Sequence, residues 1–160
     1  DTGNWAQSDK MTFDITLTGE QLKGTLVLED KDTSNWRVKS ETPIQGTLTY
    51  GVKDSKFNYG LTATAMPQNG AYTLVAWEDP AHQWTWGTFT GTVVLANVNV
   101  AGGVANVSGN LDLGQDLKEA KVWLVPGNLG TPGQIGVVLP WDPANTLFET
   151  GLIDYYDSDL

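Results

Sequence analysis

The sequence predicts an all-β fold: one antiparallel β-sandwich of about eight to eleven strands, jelly-roll or Ig-like, with no substantial helix. Three observations carry this. Segments of strict apolar–polar alternation recur along the chain, the period-2 signature of half-buried strands. Turn signals separate them at intervals of about eight to twelve residues. The apolar residues are mostly branched or aromatic and are mixed with Thr, which suits a pleated surface, while long runs of helix formers are missing. At 160 residues, with no internal repeat or linker, the chain reads as a single domain spanning 1–160.

Residues 12–18 alternate, with Phe13, Ile15 and Leu17 on one face. Gly19-Glu20 breaks the pattern, and residues 23–28 read as the next strand. Residues 29–45 read as a long polar loop anchored by Trp36 and Val38. Residues 47–52 align Leu48, Tyr50 and Val52, and a turn at 53–56 leads to a strand over 57–65. Pro67-Gln68-Asn69-Gly70 is a turn, because Asn-Gly tolerates the left-handed backbone of tight hairpins. Residues 71–77 are apolar on both faces, the mark of a central strand. An aromatic loop over 78–86 precedes a long β-branched strand with a bend over 88–100, and Ala101-Gly102-Gly103 turns the chain.

The remaining segments are an alternating strand over 104–113, a short polar stretch or helical turn over 114–119, a buried strand over 121–125, a loop over 126–133, and strands over 134–139 and 147–153. The expected core is Phe13, Ile15, Leu17, Leu26, Leu48, Tyr50, Tyr59, Leu61, Leu74, Val93, Leu111, Val122, Leu124 and Ile153.

Composition excludes several function classes. There is no cysteine, hence no disulfide framework and no thiolate metal site. No segment approaches the roughly 20 continuous apolar residues of a membrane helix, so membrane insertion is not expected. The net charge of −10 argues against nucleic acid, whose phosphates demand clustered Lys and Arg. The charge is uneven: residues 61–160 carry ten acids and two bases, and nothing after Lys121 is basic. A solvated acidic surface or a cation-dependent contact with a neighbouring surface would each account for it. The chain begins Asp1-Thr2-Gly3 without Met, which reads as a secreted product after signal-peptide removal.

No catalytic residues emerge, and the chain is not expected to be an enzyme. A Ser–His–acid triad could draw only on His82, no G-x-S-x-G elbow is present, and His82 in its loop reads as an ordinary surface histidine. A zinc site needs three or four His, Cys or carboxylate ligands, which a chain with one imidazole and no cysteine is not expected to assemble, and Glu78 with Asp79 is a carboxylate pair of the kind any acidic protein offers. No metal site is assigned. Weak calcium candidates are Asp154, Asp157 and Asp159, with a second acidic run over 29–32, though neither run has the glycine an EF-hand loop requires. Trp77, Trp84 and Trp86 lie within ten residues and could form a sugar-stacking platform or cap the open end of the sandwich. Asn106-Val107-Ser108 is an N-glycosylation sequon on the polar face of its strand.

Several stretches occur together in a recognisable order: Leu26-Val27-Leu28-Glu29-Asp30-Lys31-Asp32 with Trp36, Gly46-Thr47-Leu48-Thr49-Tyr50, Ala71-Tyr72-Thr73-Leu74-Val75 with Asp79-Pro80, Val107-Ser108-Gly109-Asn110-Leu111-Asp112-Leu113-Gly114, Ala120-Lys121-Val122-Trp123-Leu124-Val125-Pro126, Trp141-Asp142-Pro143, and Leu147-Phe148-Glu149-Thr150-Gly151-Leu152-Ile153. Over residues 22–157 the chain resembles a family of uncharacterised secreted β-domain proteins common in methanogenic archaea and some bacteria. The resemblance implies an extracellular or cell-surface setting and carries over no catalytic residues. Family members have a longer loop before the Lys-Val-Trp strand than the 114–119 connection here.

The reading that joins these features is a non-catalytic structural protein that polymerises with itself into a filament, sheath or surface layer. Residues 1–18 would act as an arm whose strand, with Phe13, Ile15 and Leu17, adds to a neighbour's sheet. The competing arrangement is a hairpin of 12–18 with 23–28 in the same chain, which the short Gly19-Glu20-Gln21 connection favours. The alternative function is a carbohydrate-binding module using loop 77–86. A far-UV circular dichroism spectrum should be dominated by strand, and a helical spectrum would contradict the predicted fold.

Overall fold

The structure, a computed structural model, describes residues 22–39, 45–77 and 92–160. It is all-β, with no helix among those residues. Eight elements are strands of five residues or more: β1 (Lys23–Glu29), β4 (Gln45–Gly51), β6 (Phe57–Thr64), β7 (Gly70–Trp77), β8 (Thr92–Val100), β9 (Ala105–Leu111), β10 (Leu117–Pro126) and β12 (Ile153–Asp157). Four are two-residue pieces: β2 (Lys31–Asp32), β3 (Arg37–Val38), β5 (Lys53–Asp54) and β11 (Phe148–Glu149). One sheet runs β11-β1-β4-β6-β9 and the other β5-β12-β10-β7-β8, while β2 and β3 form a small hairpin. The pairing is antiparallel except where β12 meets β5.

The first sheet is built in rows. Leu26, Leu48, Leu61 and Val107 stand directly opposite one another across β1, β4, β6 and β9, and together they face the second sheet. The next row is Gly24, Tyr50, Tyr59 and Gly109. Two rings side by side need empty flanks: a Cβ on Gly109 would sit 2.7 Å from the Tyr59 hydroxyl, and one on Gly24 would strike the Tyr50 ring. The third row, Leu28, Gly46, Ala63 and Ala105, is small at three of its four positions. Leu147 packs there, 3.4 Å from where a Cβ of Gly46 would stand.

From the second sheet, Tyr72, Leu74 and Ala76 of β7, Val98 and Val100 of β8, and Val122 and Leu124 of β10 complete this central core. Leu95 is the extra residue of a bulge, since Leu74 pairs with Ala96 and Val75 with Val94. Its carbonyl accepts the Tyr59 hydroxyl across the sandwich at 3.0 Å. This is the bend expected in that strand.

The outer face of the second sheet is apolar too. Val75, Trp77, Val94, Trp123 and Val125 point away from the first sheet and are buried under Leu129, Val137, Leu139 and Phe148. Thr73 pins this cover: its buried hydroxyl donates to the Gly127 carbonyl at 2.7 Å and accepts the Leu129 N–H at 3.1 Å. The 133–136 segment runs along β8, with Val94 N–H on the Gln134 carbonyl and Gly136 N–H on the Thr92 carbonyl.

Of the expected core, Leu26, Leu48, Leu61, Leu74, Val93, Val122, Leu124 and Ile153 are buried, and Tyr50, Tyr59 and Leu111 pack half-buried against them. Phe13, Ile15 and Leu17 lie outside the described residues. The differences are local. The 29–45 loop contains the β2–β3 hairpin, and Val38 is exposed, so it anchors nothing. The 53–56 turn includes β5, which pairs with β12. Residues 114–119 form no helical turn: Gly114 and Glu119 have φ of 59° and 47°, and β10 already begins at Leu117. Residues 134–139 make only an isolated bridge, Val93 with Ile135. The 147–153 segment is no single strand but breaks after Glu149, because β11 joins the first sheet and β12 the second.

The energetics follow burial. Leu48→Ala, at a fully buried site, should lower the unfolding free energy by about 2–5 kcal/mol, whereas exposed Val38→Ala should change it by less than about 0.5 kcal/mol, both read by urea titration.

Candidate functional site

Two regions of the fold offer a function. The first is the margin where the two sheets end at β8 and β9. Among the described residues β9 ends its sheet, paired along all seven residues with β6 on one side only. The edge of β8 is covered at residues 92–94 by the 133–136 segment. Of the inward side chains of β9, Ala105 is buried, but Val107 and Leu111 stay half-buried, as does Leu113 just beyond it, although Leu26, Leu48 and Leu61 in the row of Val107 and Phe57 opposite Leu111 are buried. The core is therefore thinner at this margin than across the rest of the sandwich. Outward-facing Asn106, Ser108 and Asn110 are exposed, so the sequon lies on accessible polar surface.

The assembly-strand residues Phe13, Ile15 and Leu17 lie outside the described residues. The described residues already occupy much of the proposed hairpin partner β1. β4 takes one edge of it from Lys23 to Glu29. On the other edge β11 pairs with Leu28 and Glu29, and the Thr150 N–H reaches the Val27 carbonyl at 3.0 Å. A hairpin with residues 12–18 could thus use only 23–26.

The second region is an aromatic stack running from the surface into the outer core. Trp36 and Trp141 have ring centroids 5.6 Å apart, and both approach Phe148, at 5.5 and 6.2 Å. Phe148 meets Trp123 edge-on at 5.0 Å, and Trp123 meets Trp77 at 5.1 Å. The Lys121 ammonium lies 4.8 Å over the Trp77 ring, a cation–π contact. Trp77 therefore does not belong to a sugar platform with Trp84 and Trp86: it is only 5% exposed and packs edge-on against Trp123. Trp84, Trp86, His82, Glu78 and Asp79 lie outside the described residues.

Glu149 closes the inner end of this stack. Its carboxylate accepts the Trp123 indole N–H, while the Lys31 ammonium donates to the Glu149 main-chain carbonyl. Burial pushes the Glu149 carboxyl above the usual glutamate range, and Lys31 opposes that only in part. Asp30, also buried, is held by Lys39 at 2.9 Å. Sequence reasoning missed Glu149 because its two partners lie 26 and 118 residues away.

The acidic end of the chain is arranged differently. Asp154 and Asp157 point to opposite faces of β12, Asp154 exposed and Asp157 buried. Both carboxylates are engaged by nearby backbone, Asp154 accepting the Glu119 N–H at 2.8 Å and Asp157 the Asp159 N–H at 3.0 Å. Among the described residues no three His, Cys, Asp or Glu side chains group as metal ligands. Burial first, and then the nearby Asp157, Asp54, Asp112 and Asp159 carboxylates, push the Tyr155 hydroxyl up to about 12. It stays protonated and donates to the Asp54 carbonyl at 2.8 Å. Comparison with protein-family models, curated proteins and solved structures finds no match.

Glu149 yields a pH prediction. A carboxyl whose pKa is higher in the folded state binds more protons folded than unfolded, so its contribution to stability is full below the unfolded value and falls as pH rises to the folded one. Glu149→Gln removes that fall and keeps an acceptor for Trp123. The stability of the variant relative to the parent should therefore increase from pH 4 to pH 8 in thermal melts. A difference that shrinks over the same range would show that the Lys31 contact outweighs burial.

Proposed function

We propose that this chain is a non-catalytic structural protein of the cell exterior that assembles with itself by strand addition. The observation that carries the reading is the thin core margin at β9, with Val107 and Leu111 half-buried along a strand that, among the described residues, is paired on one side only. Residues 12–18 offer a complementary element within the same sequence: seven residues, as long as β9, with Phe13, Ile15 and Leu17 on one face. Docked on the neighbour's β9, those three side chains would extend three successive inward rows, among them the one that ends at Val107.

The magnitudes are adequate. Burying three large apolar side chains contributes roughly 5–9 kcal/mol. Main-chain hydrogen bonds add about 0.5–1.5 kcal/mol each. Association costs about 4–15 kcal/mol, so several ladder bonds are needed beyond the apolar term. The contact is head-to-tail and joins two different surfaces, so it propagates unless rotation closes a ring. The resemblance over 22–157 supports an exterior setting.

Deleting residues 1–18 should leave a folded domain that no longer forms fibres or sheets in electron micrographs. A synthetic peptide of residues 1–21 should then bind the truncated domain saturably. Assembly of the truncated chain indistinguishable from the parent would refute strand addition.

A further inference from the structure

We infer that Asn106 carries an N-linked glycan, and that the first sugars of this glycan lie in a trough across the outer face of the first sheet. The inference rests on the exterior setting proposed above but not on strand addition, since a substituent on the outward face of β9 leaves the edge of that strand open.

The first observation is the state of the sequon. Asn106-Val107-Ser108 is the sole Asn-x-Ser/Thr sequence in the chain, and its middle position is not Pro. Within β9 it is extended, so Asn106 and Ser108 stand on one face about 6.7 Å apart. Both are exposed, and neither side chain is bonded to another group among the described residues. A sugar on the Asn106 amide therefore breaks no contact of the folded domain. Val107, between them, points the other way, toward the core margin.

The second observation is the ground beside Asn106. The next row of the sheet runs Thr49, Gly60 and Ser108 across β4, β6 and β9. It borders a trough of about 380 Å³, floored by Gly51 and Gly60 and rimmed by Lys23, Thr49, Ser108 and Asn110. That volume lies at the small end of ligand clefts. A Cβ on Gly60 would stand 3.3 Å from the Thr49 hydroxyl oxygen, so a side chain there would crowd the floor. Some polar groups here are spent. The Thr49 hydroxyl donates to the Gly60 carbonyl at 3.3 Å, and the Asn58 amide donates to the Asp54 carboxylate at 2.7 Å. The Lys23 ammonium, the Ser108 hydroxyl and the Asn110 amide are not spent among the described residues, and they offer donors and acceptors to sugar hydroxyls.

The third observation is charge. The outward positions of β4, β6 and β9 hold no acidic residue, although the net charge of the chain is −10. Elsewhere carboxylates keep the surface hydrated and copies apart. On this face a glycan supplies the bulk and the hydration.

The donor is a lipid-phosphate-linked oligosaccharide, and the catalyst is a membrane oligosaccharyltransferase of the exporting cell. The Asn106 amide nitrogen bonds to the anomeric carbon, the bond from that carbon to the phosphate oxygen breaks, and the lipid phosphate leaves. The nitrogen gives up one proton. The transferase reads the Ser108 hydroxyl two residues on.

The test is to secrete the full chain, behind a cleavable signal sequence, from a eukaryotic host that glycosylates. Intact mass should rise by a whole number of sugar residues, and a peptide-N-glycosidase should remove the increment. Asn106→Gln and Ser108→Ala should each abolish it, while Ser108→Thr should keep it. Releasing the glycan from the folded protein should lower the melting temperature by about 2–4 °C. Asn110→Ala, which removes a rim group and leaves the sequon intact, should erase most of that difference. The inference is overturned if the secreted, folded chain carries an unmodified Asn106, if the added mass survives Asn106→Gln, or if releasing the glycan leaves the melting temperature unchanged. The host supplies the compartment, so each of these results counts against the glycan and not against the exterior setting.

Discussion

Three residues, Leu147, Phe148 and Glu149, hold the two sheets in one arrangement. Leu147 exchanges both main-chain hydrogen bonds with Leu124 in the second sheet, at 3.0 and 2.9 Å, and buries its side chain between the sheets. One residue later the chain has joined the first sheet, where Phe148 and Glu149 pair with Glu29 and Leu28. Phe148 turns its ring to the outer core, and Glu149 binds the Trp123 indole. Consecutive residues therefore bind both sheets and fill both cores. A sandwich is otherwise held by non-directional burial, which fixes spacing better than register. Main-chain bonds to two sheets from one short segment fix their relative position.

That splice also makes the two sides of the sandwich unequal. On the Leu147 side the sheets are stitched together by main-chain hydrogen bonds to both. On the β8–β9 side they are joined by the 101–104 turn and by the Tyr59 hydroxyl on Leu95. In the proposed assembly the outer edge of β9, which has no strand partner among the described residues, would template another strand. The proposed head-to-tail polymerisation would use this difference between the two sides. High negative charge then acts against indiscriminate aggregation.

Much of the fold was legible in the sequence because its cause is local. Alternation at 23–28, 47–52, 57–65 and 104–113 marks the face each strand buries, and the two-faced apolar run at 71–77 marks a central strand. That same run held the signal for Trp77: a ring at the end of a strand buried on both faces belongs to a core. The parts that were not legible depend on distant partners. Nothing near residue 149 announces that its carboxylate meets Trp123, and nothing near residues 134–139 shows that they roof the second sheet without joining it. Trp36 was visible as an anchor, but its outward turn is set by Asp32 and by Phe148, the second of which lies far along the chain.

In the proposed assembly, residues 12–18 of one copy lie beside β9 of another. The chain has no cysteine, so introduced thiols report contact without interference. Ser108→Cys, on the exposed face of β9, would be mixed with single-cysteine variants at the outward positions Thr12, Asp14, Thr16 and Thr18, and oxidised. Adjacent strands bring Cβ atoms within about 5.5 Å, close enough for a disulfide at the matching register. The strand-addition account expects a disulfide-linked heterodimer between separate chains at one or two of these positions. A cross-link that forms only when both cysteines share one chain, or at none of the positions, would contradict it.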